Sequence, residues 1–264
     1  MNQRTEDQSE PVHTKGGVAQ PRPTGPVTGT KGPSSVVRAT GLSKAYINGE
    51  TRFEALKGVS LDVLAGETLA IQGKSGSGKS TLMHMLALLD SPTEGSIEVN
   101  GIDARSLKDK ELNRLRNSTF GFVFQQFFMI PSATVLENVI LPLKIAGMGS
   151  RERRERGLMV LEQVEMADKA GNRATDLSGG QKQRMVIARA IANDPQVIFA
   201  DEPTGNLDSV TSKVIEDLLF DFNRTRGITV VIVTHDEDLA LRCGRRVILK
   251  DGEIVAEHVS GAQA

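Results

Sequence analysis

The chain holds one cysteine, Cys243, among 264 residues. A single thiol excludes an internal disulfide framework and any multi-cysteine zinc or iron–sulfur site, the usage expected of a cytoplasmic chain. Charge of one sign is missing as well: 32 Lys and Arg stand against 33 Asp and Glu, a formal net charge of −1. No global positive field draws nucleic acid or anionic lipid, so any anion site must be local. Long apolar runs are also absent. The first 30 residues contain no apolar segment of the secretory kind. The uncharged stretch from Asn117 to Leu136 is interrupted by Gln125, Gln126 and Pro131 and makes a poor membrane span. Membrane association is then expected to come through a partner.

What is present fits a globular chain with a sizeable core: 39% hydrophobic and 25% charged residues. The length suits one large domain, or one domain with a subdomain. Residues 1–35 form a different region. They hold five of the ten prolines and five glycines with few apolar residues, so they cannot repay their ordering entropy and read as a disordered tail. His13 decorates that tail.

From Val36 the pattern tightens into strand, and Val59 to Leu64 alternates, giving two edge strands. Thr68 to Gln72 reads as a buried strand entering a glycine-rich turn, with Ser80 to Leu89 as the helix it feeds. Ser96 to Val99 alternates again, Arg105 to Arg116 has helical spacing, and Phe120 to Phe124 is a strand. Between Leu136 and Val164 the period is helical, broken at Pro142 and Gly147 to Gly149. Arg151 to Arg156, four arginines and two glutamates, reads as a solvated helical face. Then a helix from Gly180 to Ala192, a strand from Val197 to Ala200, a helix from Ser209 to Arg224 and a strand from Ile228 to Val233 alternate, which argues for parallel strands with right-handed crossovers. Val247 to Lys250, Asp251–Gly252 and Ile254 to Ala256 read as a closing hairpin.

Residues 73–81, Gly73-Lys74-Ser75-Gly76-Ser77-Gly78-Lys79-Ser80-Thr81, carry the GxxxxGK[ST] spacing between that strand and that helix. Glycines let successive N–H groups turn toward one anion, and the helix N-terminus adds its positive dipole end. Lys79 can reach the β and γ phosphates of a nucleotide and Ser80 can present its hydroxyl to Mg²⁺. The apolar run Val197–Ala200 ends in Asp201–Glu202, two carboxylates with two jobs: Asp201 to help hold hydrated Mg²⁺, Glu202 to orient or deprotonate water. Without the phosphate loop, that acidic pair reads as no more than a strand end opening the turn at Pro203-Thr204-Gly205.

Leu177-Ser178-Gly179-Gly180-Gln181, followed by Lys182-Gln183-Arg184, is the signature sequence of the ATP-binding-cassette family, which the chain resembles from Val36 to about Val259. The resemblance implies a P-loop ATPase fold: a RecA-like parallel-sheet core, an antiparallel β edge and a helical subdomain near residues 126–192. It also implies that Ser178 to Gln181 close over ATP held by a second cassette, so that two chains sandwich two nucleotides, as a homodimer or with a different cassette. By the same resemblance Tyr46 is the adenine-stacking aromatic, with Phe53 as the nearer alternative and a core role also open. Gln125 is the glutamine that contacts Mg²⁺ or water, with Gln126 beside it, and His235 is the switch histidine at the γ-phosphate. Asp208 communicates across the paired interface, although its residue type equally suits a helix N-cap. His84 and His258 match no such position and read as helix or surface histidines.

The segments 89–95, 121–127 and 202–209 are similar to the macrolide-export and lipoprotein-release branch, with cell-division and antimicrobial-peptide-resistance cassettes close to it. Members dock on a separate permease at the cytoplasmic face of the membrane. Phe127, Phe128, Met129 and Ile130 are the candidate docking residues, or else fill the subdomain core. The expected activity is ATP hydrolysis that drives export, with force transmission through a membrane partner as the alternative. A nucleic-acid-associated cassette fits less well, given the neutral charge and the absence of cysteine zinc spacing. Thr175 stands where many cassettes carry proline, and Lys74 is unusual at its place in the phosphate loop without removing any donor.

Overall fold

The computed structural model describes residues 34–49 and 51–260. Apart from Ser34 and Ser35, the expected tail and His13 lie outside the described residues.

The residues form two sheets. The first is antiparallel, in the order β2-β1-β4-β5. Its β1 (Ser35–Asn48) and β2 (Thr51–Leu64) run as a 14-residue pair, with β4 (Glu94–Val99) and β5 (Ile102–Asp103) on the other side of β1. The two expected edge strands therefore pair as one long hairpin, with β2 at the sheet edge and β1 inside it. Register shifts between Ala39 and Ala45 break the two-residue alternation there, so the sequence pattern does not reveal its length.

The second sheet is the core, in the order β10-β9-β3-β8-β7-β6. Strands β3 (Thr68–Gln72), β6 (Phe120–Phe124), β7 (Val197–Asp201), β8 (Thr229–Val233) and β9 (Arg245–Lys250) are parallel, and β10 (Glu253–Val259) returns antiparallel to β9. The β9–β10 turn is Asp251–Gly252, both at positive φ (50° and 85°), the conformation that two-residue hairpins favour.

Both faces are covered at the inner strands β3, β7 and β8, which is why these are nearly continuous apolar runs. Leu69, Ile71, Val231, Val233 and Phe199 pack on one side with β1, β2 and helix α1 (Lys79–Leu86). Ala70, Val230, Ile232, Ile198 and Ala200 pack on the other. That second face meets α3 (Val135–Val139), α4 (Leu141–Ile145) and α5 (Ser150–Gln163) from the stretch of helical period, together with α6 (Gly179–Ile191) and α7 (Ser209–Arg226). The helices are interrupted at Ile140 and again over 146–149, so Pro142 sits in the first turn of α4 and not at the break expected there, while the break at Gly147 to Gly149 is present. The helix read from Arg105 starts later, as α2 (Asp109–Thr119), because Asp103 caps a 3₁₀ turn at Ala104–Ser106 through the Arg105 N–H. A short helix unseen in the sequence, α8 (Glu237–Leu241), follows β8 and is capped by Asp236. Among the described residues no helix is long and apolar enough to cross a membrane.

The register of the parallel strands decides where chemistry can occur. Ile71 pairs with Val233, Val233 with Asp201, and Asp201 with Phe124. Four strands thus end in line, and the residues just after them leave the same carboxyl edge of the sheet. Gly121 in β6 keeps one of those strands close under α6: a Cβ there would overlap the carbonyl oxygen of Ala190. Gly121→Ala is expected to cost about 1–3 kcal/mol by overpacking, measured as a lower midpoint in urea unfolding with an unchanged slope.

Candidate active site

A cavity of about 590 Å³ opens at that edge, lined by residues 73–76 and 78–81 with Asp201, Glu202 and His235. Its floor is the loop between β3 and α1. Helix α1 begins after Gly78, at φ 102°, with no side-chain cap and no acidic residue in its first turn. Its leading N–H groups therefore face the cavity without a competing acceptor. The loop's path depends on missing side chains: a Cβ on Gly73 would overlap the Leu249 carbonyl oxygen, and one on Gly78 that of Ala55. Lys79 Nζ lies along the loop, donating to the carbonyls of Gly73 (2.9 Å) and Lys74 (3.0 Å). Ser77 is buried with its hydroxyl oxygen unpartnered.

The acidic pair sits across the cavity. Burial pushes the Asp201 carboxyl above its usual value; nearby His84, the Ser80 hydroxyl and Lys79 oppose the shift, and Glu202 adds to it. His84 stands on α1 four residues after Ser80 and does not line the cavity.

Glu202 adopts a left-handed backbone, φ 46°, a conformation costly for a side chain that carries a Cβ. Its N–H donates to Val233 O (2.9 Å). Its carboxylate accepts from the His235 N–H (3.1 Å), meets His235 Nδ1 at 2.8 Å, and accepts from the Thr234 hydroxyl (3.3 Å). The His235 side chain remains 78% exposed and that of Glu202 20%. Thr234 was not among the candidates; its hydroxyl also accepts from the Asp236 N–H (3.0 Å) and fixes the bend after β8.

The remaining candidates, Phe53 apart, do not line the cavity. Tyr46 donates its hydroxyl to Asp90 (3.2 Å), with Lys44 Nζ 5.1 Å over its ring. Phe53, its partner across the β1–β2 pair, is 56% exposed and does line the cavity. Gln125 leaves the end of β6 and contacts the loop beyond Glu202, its carbonyl accepting from Asn206 Nδ2 (2.9 Å). Ser178 caps α6 in a reciprocal box with Gln181 (3.3 and 3.0 Å), leaving Ser178 and Gly179 exposed. Asp208 caps α7, accepting from Val210 N (3.1 Å), Thr211 N (3.0 Å) and the Thr211 hydroxyl (2.7 Å), and the Thr211 bonds hold its carboxyl below the usual range. Of the four apolar residues after Gln126, Phe128 and Ile130 are exposed, while Phe127 and Met129 pack on the core.

The chain as a whole is similar to known proteins. The "ABC transporter" family model matches residues 56–205. The lipoprotein-releasing system ATP-binding protein LolD of Geobacter metallireducens is 46% identical over 224 residues, covering 85% of this chain and all of that protein. A dimeric structure of MJ0796, an ABC transporter cassette of Methanocaldococcus jannaschii, superposes with a TM-score of 0.79 at 45% identity, covering 84% of this chain and 98% of that one. A second dimeric MJ0796 structure, a post-hydrolysis state bound to ADP and phosphate, gives 0.78 with the same coverage. Family model, relative and solved cassettes span the phosphate loop, the acidic pair and the signature helix alike, and the chain belongs to the ABC transporter family as one of its ATP-binding subunits.

Proposed function

We propose that the chain is the ATP-hydrolysing subunit of a membrane export complex of the lipoprotein-release kind, docked peripherally at the cytoplasmic face through permease subunits and paired with a second cassette. The observation that carries this is the divided site. One chain presents a phosphate cradle and an acidic pair in one cavity, while its own signature loop, Ser178 to Gln181, does not line that cavity and exposes Ser178 and Gly179. A second chain supplying that loop completes the site.

The loop's N–H groups and Lys79 take the β and γ phosphates, with Lys79 exchanging its two carbonyl partners for phosphate oxygens. Among the described residues no cluster of three or more His, Cys, Asp or Glu could hold a metal alone. Ser80 and Asp201 offer the sparse oxygen set that Mg²⁺ uses together with phosphate oxygens, and Gln125 at the neighbouring strand end is the third candidate. Bound there, Mg²⁺ would neutralise charge on the transferred phosphoryl group. Glu202 orients a water and accepts its proton, and His235 donates a hydrogen bond to the γ-phosphate oxygen as charge develops. The Glu202–His235 contact means that both groups must re-aim when ATP enters. Tyr46, or Phe53 from the opposite strand, offers a ring face to the adenine. Asp208, fixed at the start of α7, serves the paired interface.

Glu202→Gln keeps the side chain's shape but removes the base. ATP binding is expected to persist and an ATP-bound dimer to accumulate on size exclusion, while phosphate release falls by about 10²–10⁴-fold; near-normal turnover would reject the role.

Asp201 makes a separate prediction through pH. Its raised pKa means the folded carboxyl holds its proton to higher pH than the unfolded one, so stability is lost as pH rises from the unfolded value through the folded one. Asp201→Asn should therefore melt higher than the parent near pH 7.5 without nucleotide, with the gap closing toward pH 4. The same variant should lose the extra melting-temperature gain that Mg²⁺ adds to ATP.

A further inference from the structure

The signature helix carries one side chain that faces its own chain's chemistry. Gln183, on α6 three residues after Gly180, is 1% exposed, and its Nε2 donates to the carbonyl of Pro203 at 2.7 Å. Pro203 directly follows Glu202. A carbonyl can only accept, so the orientation of the Gln183 amide is fixed by chemistry: the NH₂ faces Pro203 and Oε1 faces away. That Oε1 is buried with no hydrogen-bond partner among the described residues. A buried amide acceptor left unpaired is costly, and an apolar side chain of the same length would avoid the cost. The donor arm is therefore what the position gains from glutamine.

The turn it grips is short and closed. Gly205 N–H donates to Glu202 O (3.1 Å) and Leu207 N–H to Thr204 O (3.0 Å), while Glu202 itself is held at φ 46°. With both ends of Glu202's peptide fixed by this turn and by Val233, a shift of the Pro203 carbonyl moves the backbone that aims the Glu202 carboxylate. The other end of the lever is the lid. Ser178, Gly179 and Gly180 begin α6, and a Cβ on Gly180 would lie 2.6 Å from Thr211 Cγ2 at the start of α7. The start of α6 thus packs directly on the start of α7 at Gly180, with Leu207 of the turn in ordinary contact range of Gly179.

We infer that Gln183 is a positioning residue for hydrolysis: it ties the seating of a chain's signature loop on its partner's nucleotide to the aim of that chain's own Glu202. The inference rests on the reading of Glu202 as the base. In a pair of chains it makes each lid a reporter to the active site of the chain that carries it, so closure at one nucleotide prepares attack at the other.

The test uses the full chain with Gln183→Met, which matches the length and volume but has no donor, alongside Gln183→Asn, which keeps the amide and withdraws it by one methylene. The expected result is a fall in kcat of about 10–10²-fold, the range for a misplaced catalytic group, with KM for ATP within about twofold. Gln183→Asn falls in the same direction and carries the comparison if Gln183→Met does not fold. Combined with Glu202→Gln, Gln183→Met should still form the ATP-bound dimer, showing that the lid closes while chemistry fails; a merely structural role would lose both. A kcat within twofold of the parent, or loss of the trapped dimer, overturns the inference. If instead the single Glu202→Gln variant turns over normally, it is the reading of Glu202 that has failed.

Discussion

Everything at this site hangs on how the phosphate loop is clamped between two sheets. Gly73 lies against the Leu249 carbonyl of β9 and Gly78 against the Ala55 carbonyl of β2, at approaches no side chain would permit. The clamp is extended by the Gly252 N–H donating to Ser77 O (3.1 Å) and the Lys57 N–H to Gly252 O (2.9 Å). A turn with so many inward N–H groups would otherwise be free to relax toward water. Held from both sides, it keeps those donors aimed at one small volume, so an anion finds them already ordered.

The rest of the core can be read as support for that volume. The parallel register brings the ends of β3, β8, β7 and β6 level, so the phosphate loop, His235, the acidic pair and Gln125 all leave one edge. Burial at the edge gives Asp201 an energetic cost as a free carboxylate, a cost that a bound cation would relieve. Glu202 holds a left-handed backbone and a contact to His235. These groups carry strain and desolvation, the usual condition of residues kept for chemistry and not for stability.

The sequence was most informative where one chemical demand sets both residue type and spacing. The run from Gly73 to Thr81 announces its strand, turn and helix, and Val197–Ala200 announces a strand covered on both faces. The β1–β2 hairpin was harder, because its register shifts hide the alternation that would have shown its length. Helix α8 is five residues long and stands on an Asp236 cap, too short for a periodic pattern. Of the site residues, Phe53, Thr234 and Gln183 depend on strand pairing, a bend and a contact 20 residues away. Phe53 is named from the sequence only as an alternative to Tyr46, and the other two are not written in local pattern.

A cassette whose cradle and lid are both on one chain, yet do not meet within it, works only in pairs. The native thiol permits a direct test, since Cys243 is buried and pushed up to about 12, which leaves it unreactive toward maleimides. Cysteines placed at Lys74, beside the cradle, and at Lys182, beside the lid, would be the only reactive ones among the described residues. A short bismaleimide should then join the two sites between chains when Mg²⁺ and ATP are present, giving a covalent dimer, and should not do so without nucleotide. Equal yields in both conditions, or no dimer at any point in turnover, would contradict the shared site.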